Sequence, residues 1–590
     1  MFLGLGLVAA SDINMDENIS LTEHAENIQT TSNNNDMDVA NENHNTIKIS
    51  SKHPGSERAK DDNDILNFSS LNETINSGSS EITLDNNYIF NEEYDSRFID
   101  LGGIVISQNL TIDGKGHTID LCGKVRFLNI TGHTVTLKNI NIVNGNTSLY
   151  GGAIYIFSGN GNFVNSTFSN NNAKTYGGAI YIKDGYCNIS NSTFNNNASS
   201  NGGAIYLENG KIIVDDSTFQ TNKAKTYGGA IYIKNVNCNM TKSTFNNNNA
   251  SSNGGAIYLE GNGTITDSNF NNNNASSNGG AIYITKGNIN VENSIFGNNS
   301  ALNNNGGAIF IDGNGTFTKA TFNNNNAQVY GGAIYIKEKS KGYFIYSTFT
   351  GNYVKSDADT GCYGGGIYIA TGNCTILNST FNNNMALNDT ASNANGSAVY
   401  VKGNCTVINS TFNNNNGTSG SIYILRGNGK ITDTIFSGNW GNINGGGLYV
   451  NLGNCTIENT RFENNSALTY AGAIYMFKSN LTCINSTITA NSAKYVGGVY
   501  ITNGIAYIEN STLSDNNGTQ FSGALYVNGN ATILNTSFTD NNGIEGGAIY
   551  INNGHFTIIN SKFRNNNGTK GGSIYITKTT VILTNSSFRK

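Results

Sequence analysis

Residues 151–171 run Gly-Gly-Ala-Ile-Tyr-Ile-Phe-Ser-Gly-Asn-Gly-Asn-Phe-Val-Asn-Ser-Thr-Phe-Ser-Asn-Asn, and the phrase keeps returning. Its tyrosine recurs at Tyr155, Tyr181, Tyr206, Tyr232, Tyr258, Tyr283, Tyr335, Tyr368, Tyr400, Tyr423, Tyr449, Tyr475, Tyr500, Tyr526, Tyr550 and Tyr575, with Phe310 standing in once. Of the 16 intervals between these 17 anchors, 13 span 24–27 residues. A second anchor follows 12–14 residues later, from Phe168, Phe194 and Phe219 to Phe588, with Ile488 and Leu513 as substitutes. All 16 of these anchors that have three residues after them carry Asn at the third, from Asn171 to Asn566. A period of this length marks a solenoid, because one such unit cannot bury its apolar face alone.

Alternation within the unit supplies the local structure. Aliphatic residues flank every tyrosine anchor, as in Ile154 and Ile156 or Val499 and Ile501, which predicts a strand with one buried face. A second run has apolar residues five before the Phe anchor (Ile189, Val214, Val291), and a third ends at the Phe itself. Three short strands per ~25 residues, separated by Gly and Asn turns, predict an all-β fold: a right-handed parallel β-helix of about 17 regular coils. Gly stands three before the anchor in 16 of 17 coils, Ser397 excepted, and is assigned to a corner with positive φ. The Asn after each Phe is expected to stack as an amide ladder at another corner, in the left-handed conformation.

The rest of the chain divides around this repeat. Residues 1–10 resemble the end of a signal peptide without its basic start. Residues 11–66 are acidic and Asn-rich and are expected to be disordered; positions 1–64 hold 12 acidic and 4 basic side chains. Residues 67–145 read as N-terminal capping coils, and 146–590 as the β-helix repeats. No run of ~18 apolar residues predicts a transmembrane helix. The 590 residues carry 34 basic and 40 acidic side chains, so the chain beyond position 64 is close to neutral, which argues against nucleic acid as a partner.

The paired Gly-Gly-Ala-Ile and Phe-x-x-Asn motifs resemble the polymorphic outer-membrane-protein repeat of chlamydiae. The Asn-rich form, led by Asn-Leu-Thr-Ile-Asp-Gly-Lys-Gly-His-Thr-Ile-Asp at 109–120, resembles the large adhesin-like proteins of methanogenic archaea, over roughly residues 80–590. The resemblance implies an exported, non-catalytic protein, secreted or at a cell surface, that binds glycans or proteins of other cells. Family members often end in a C-terminal anchor, and nothing after Phe588 reads as one.

Two surfaces are candidates for binding. Tyrosines between inward-facing aliphatics should point outward as an exposed aromatic track, represented by Tyr181, Tyr206, Tyr232, Tyr258, Tyr283 and Tyr335. It suits sugar faces or rod-to-rod packing, although mutual stacking that reinforces the sheet is the reading the sequence favours. The second candidate is the pair of inserted loops, 350–365 and 382–397, which hold Asp357, Asp359, Cys362, Tyr363 and Asp389 and should project together from one edge.

Catalysis and metals find less support. Lys183, Glu208, Lys234, Glu260, Thr285, Asp312 and Lys337 each lie two residues after an anchor, and an alternating-charge ladder explains them better than a carboxylate pair. A polysaccharide lyase or glycosidase remains the alternative, with a purely structural envelope protein as a third reading. Cys187, Cys238, Cys374, Cys405 and Cys455 each lie seven before a Phe anchor, at core positions, and are expected to be buried thiols. No cofactor and no metal site are expected.

Overall fold

Four strands, not three, build each regular turn. In the turn around Tyr258 they are Ile257–Glu260, Gly263–Thr266, Asn269–Asn271 and Asn274–Ala275. A computed structural model describes residues 65–356, 361–388 and 393–590, all within one unit, Asp61–Lys590. The signal-like and acidic positions 1–64, with Asp357, Asp359 and Asp389, lie outside the described residues. Ile65 and Leu66, at the end of the stretch expected to be disordered, belong to strand Ile65–Asn67, which pairs in parallel with Asn87–Ile89.

The strands form three long parallel sheets of 35, 21 and 17 strands. The 21-stranded sheet takes one strand per turn, the one that carries the Phe anchor, so the all-β solenoid has 21 turns among the described residues. The largest sheet takes two strands per turn, and the third sheet is made of the short strands the sequence reading missed. Their sequence signal is a small residue five after the Phe anchor, such as Ala173, Ala224, Ala250 and Ala275, buried against the next turn.

Register is set by stacking like on like. Ile257 lies over Ile282, Tyr258 over Tyr283 and Leu259 over Ile284, so every turn presents the same apolar set to the core. The Phe rings pile directly on one another: Phe194 to Phe219 is 4.7 Å between centroids with planes 2° apart, and Phe245 to Phe270 repeats this geometry. Fully burying each ring contributes about 2–3 kcal/mol, and the stacked contact adds about 0.5–1.5.

Two corners flank each Phe strand, and the left-handed residues are not the predicted ones. Positive φ falls three before the Phe (Asn165, Asn191, Asn293) and two after it (Asn170, Asn196, Asn247). The Asn at the third position, expected to be left-handed, is instead buried beside the corner and bonds along the solenoid. Asn222 donates through Nδ2 to Asn248 Oδ1 at 3.0 Å and to the Phe194 carbonyl at 3.0 Å, while its backbone N–H also reaches Asn248 Oδ1. Asn supplies two donors and a double acceptor at the right reach. Asp lacks the donors, which accounts for its exclusion from this column.

The glycine assignment also moves by one residue. Gly151, Gly177, Gly202 and Gly254, four before the tyrosine, carry φ of 57–69°. Gly152, Gly178 and Gly203, three before it, have no positive φ; a Cβ there would overlap the carbonyl oxygen of the matching glycine one turn on. Close backbone approach, not handedness, fixes that second glycine.

At the N-terminal side the helix Phe68–Ile75 lays Phe68, Leu71 and Ile75 against the core, with Asn67 capping its first turn through Ser70 N–H. Buried Asp95 accepts from the N–H groups of Phe68, Ser69 and Asn91 and ties this helix to the short helix Glu92–Asp95.

Candidate functional site

The tyrosines leave the core as alternation requires, but they do not form an open track. Tyr181, Tyr206 and Tyr232 are only 4–8% exposed, whereas Tyr258, Tyr283 and Tyr335 are half-buried. Consecutive rings stack at 5.5 Å (Tyr181 to Tyr206), 4.8 Å (Tyr206 to Tyr232) and 4.7 Å (Tyr232 to Tyr258). A second aromatic column then covers them. Tyr150 lies 4.9 Å from Tyr181, Tyr176 lies 4.5 Å from Tyr206, and Tyr227 lies 4.8 Å from Tyr258. Its members stand five residues before an anchor, also at Tyr330, Tyr363, Tyr470, Tyr495 and Phe521, and this spacing was available in the sequence.

Between these aromatic blocks the position five before the anchor is Asn. Asn278 donates through Nδ2 to Asn253 Oδ1 at 3.1 Å, and the Asn305 N–H reaches Asn278 Oδ1 at 3.2 Å. This amide run accompanies Tyr283, Phe310 and Tyr335, which stack at 4.7 Å on both sides of Phe310. A sugar takes apolar C–H faces against a ring and hydroxyls toward amides, and this stretch sets rings beside amides that are bonded chiefly to one another. The buried Asn305 Oδ1 has no hydrogen-bond partner among the described residues. Burial raises the phenol pKa along the column, to about 12 for Tyr335 and further for Tyr181, Tyr206 and Tyr232.

The charged column sits two residues beyond the anchors, in register from Lys183 through Glu208 to Lys234. Lys234 Nζ bonds Glu208 Oε1 at 2.8 Å, and Lys337 Nζ bonds Asp312 Oδ2 at 2.7 Å. Glu260 is not held by Lys234; it accepts from the Tyr232 hydroxyl at 2.7 Å. The alternating ladder is therefore real for two pairs, and Glu260 belongs to the tyrosine column instead.

The inserted loops meet along their described flanks. Strand Tyr353–Ser356 pairs with Met385–Asn388, and Cys362–Tyr363 pairs with Ala394–Asn395, so both insertions leave successive turns at the same place. Tyr363 is not part of a projecting tip: it stacks on Tyr330 at 5.4 Å and on Tyr400 at 4.9 Å, inside the second aromatic column. Cys362 is buried with Ala327, Val354, Ala386 and Ala394.

Cys187, Cys238, Cys374, Cys405 and Cys455 are buried free thiols, as the spacing predicts. Cys374 and Cys405 face each other in register, and their mutual hydrogen bond, followed by burial, pushes the Cys374 thiol well up. Among the described residues no cluster of three His, Cys, Asp or Glu side chains is placed to hold a metal ion. Nor is any helix there long and apolar enough to cross a membrane.

Six segments, 165–183, 191–208, 216–234, 242–260, 267–285 and 319–337, match the model of the Chlamydia polymorphic membrane protein repeat. Each match runs from just before a Phe anchor to just past the following tyrosine strand, so it spans the amide corner and the glycine corner together. No curated protein matches the chain. The chain thus carries repeats of the polymorphic membrane protein type, wound into a parallel β-solenoid.

Proposed function

We propose that this protein is a non-catalytic rod, displayed at or shed from a cell surface, that holds glycan chains or surface partners along its repeated columns. The observation that carries this reading is the half-buried set Tyr258, Tyr283 and Tyr335, joined through buried Phe310, with its companion run Asn253, Asn278 and Asn305. It offers stacked rings and amides at every turn, in register. One ring contact contributes only about 0.5–1.5 kcal/mol, but a polymer held at one turn is at high effective concentration over the next. The match to a repeat named for membrane proteins supports a place at the cell surface.

The test is incubation of the purified chain with a panel of neutral and acidic polysaccharides, read for both retention and new chain ends. Retention that strengthens steeply with oligosaccharide length, without new ends, is the expected result. New reducing or unsaturated ends would make the protein a polysaccharide-degrading enzyme, and no retention at all would favour a structural envelope role. Removing residues 357–360 separates the loops from the columns; the deletion stops short of Cys362 and Tyr363 because those two pair with the next turn. If the columns bind, this deletion leaves retention intact. If it abolishes retention regardless of ligand length, the loops with Asp357, Asp359 and Asp389 are the site.

A further inference from the structure

On the face built from the short strands, a groove of about 790 Å³ runs along the axis beside the first regular turns. Its size lies in the range of ligand clefts. The floor is made of small residues, with Ala173, Ser199 and Ala224 buried, and one wall is the exposed Ile99 of helix Arg97–Leu101. Four lysines line it, Lys124, Lys174, Lys223 and Lys225, and no carboxylate does. Only Lys124 is neutralised, by Glu92 at 2.8 Å; the other three make no ion pair among the described residues.

Their placement follows from the register. Lys223 and Lys225 flank buried Ala224, so both leave the same face. Asn172 pairs with Ala198 and Ala198 with Lys223, so Lys174 and Lys225 each stand two residues beyond the same paired column, two turns apart, with the register shifting by one between Ser199 and Asn201 in the turn between them. Two turns are about 10 Å of axis. Beside this column the side chains of Asn146 and Asn172 are joined, Asn172 Nδ2 to Asn146 Oδ1 at 3.0 Å, and both line the groove.

We propose that this groove binds an acidic polysaccharide lying along the solenoid axis, its carboxylate or sulfate groups on Lys174, Lys223 and Lys225 and its hydroxyls on the Asn amides. The inference rests on the glycan-binding reading and gives it a site and a charge preference. Uncompensated ammonium groups spaced two turns apart call for a ligand whose anionic groups recur at a comparable interval, as in an extended glycan bearing one acid per disaccharide. Nucleic acid fits worse, because no aromatic ring lines the groove to stack a base.

The experiment measures retention of the full chain by polygalacturonate, dextran sulfate, neutral dextran and single-stranded DNA in low and high salt. Polygalacturonate or dextran sulfate should be retained more strongly than dextran, and the arm that binds better tells carboxylate from sulfate. The double variant Lys174→Glu/Lys225→Glu should lose at least about tenfold in affinity and show a shallower salt dependence. Both side chains are exposed, so its melting curve should match the parent's. Lys430→Glu, at an exposed position outside the groove, should change little. The proposal is overturned if Lys430→Glu weakens binding as much as the double variant, or if DNA binds more tightly than either acidic glycan. Retention of neutral dextran without either acidic glycan would sink the groove while leaving the broader glycan reading in place. Retention of nothing would sink both.

Discussion

Two aromatic columns climb the same turns and behave differently. The Phe rings of the core stay parallel wherever two follow each other, the column being broken only at Ile488 and Leu513: 2° between Phe194 and Phe219, 11° between Phe412 and Phe436, 6° between Phe563 and Phe588. The outer tyrosines match that order only as far as Tyr423. From there the planes swing to 76° between Tyr423 and Tyr449, 57° between Tyr475 and Tyr500, and 74° between Tyr526 and Tyr550. Register does not explain the change, since Tyr still lies over Tyr in every pair. The corner four residues before the tyrosine does change. It is a left-handed Gly in each turn from Gly151 to Gly396, and then Ser419, Gly445, Ala471, Val496 and Ser522, none with positive φ. A β-branched residue such as Val496 enters that region only rarely and at a steric cost. Ala471, Val496, Ser522, Gly546 and Gly571 instead bridge one another in parallel. The enclosed Phe rings stay parallel on both kinds of corner, whereas most outer pairs tilt beyond the change of corner, Tyr500 and Tyr526 excepted at 21°.

The sharpest way to break the distinction between inner and outer positions is to place a charge on each. Ile282→Asp buries an unpaired carboxylate between two turns and should cost several kcal/mol, enough to interrupt the solenoid locally. Thr285→Asp, three residues on at a partly exposed position between Glu260 and Asp312, should cost far less, about the 0.2–1 kcal/mol of like-charge neighbours. Equal losses in thermal or denaturant melts would mean that inward and outward faces are misassigned. The same comparison with rings alone predicts about 3–5 kcal/mol for Phe270→Ala, a fully enclosed core ring. Tyr283→Ala, half-exposed, should cost markedly less, because water replaces part of what is lost.

Most of the fold was legible because the repeat states it many times: alternation around the tyrosine and the fixed Phe-x-x-Asn spacing gave the strands and the parallel stacking. What stayed hidden were features carried by small or permissive residues. The fourth strand, Asn274–Ala275, is two residues long and shows no alternation. Which of two adjacent glycines is left-handed depends on carbonyls from the next turn, which no local pattern contains. The candidate surface was legible in direction and not in exposure. That Tyr181 and Tyr206 face away from the core follows from Ile180 and Ile182 or Ile205 and Leu207. Their cover by Tyr150 and Tyr176 needed a second period, five residues out of phase. The loop carboxylates Asp357, Asp359 and Asp389 lie outside the described residues, and the surface they were expected to share stays a proposal.

Substitutions at the corners should have smaller effects and would sharpen the contrast between the two regions. Asn248→Ala removes a link from the buried amide column and leaves neighbouring amides unpaired, for about 1–3 kcal/mol. Gly254→Ala must place a Cβ at φ 69° against the Ile257 carbonyl, at a cost of about 1–3 kcal/mol. Ala471→Gly, at the equivalent position of the second region, should cost only the about 0.5–1 kcal/mol of added chain entropy. If both corner variants melt alike, the two regions do not differ in corner geometry, and the turn in the tyrosine column needs another cause.

The contrast between the columns is silent at neutral pH and emerges in alkali. The Phe column has nothing to titrate, whereas burial raises the phenols of the outer column, Tyr335 to about 12 from an ordinary 10.0. A raised pKa means that the folded chain holds the phenol proton more tightly than the unfolded chain does. Below about pH 10 both states are protonated and the stabilisation is complete; above it the unfolded state ionises first, and stability falls until the folded phenol titrates near pH 12. Tyr335→Phe removes one such group while keeping the ring, and Phe310 shows that the column accepts Phe, stacked at 4.7 Å on both neighbours. Melting at about pH 9 and about pH 11, on either side of the ordinary phenol pKa, is the measurement. The variant should lose less stability between the two than the parent chain. An identical loss in both would show that Tyr335 ionises as freely in the folded state as in the unfolded one, and that its stack leaves the phenol open to water.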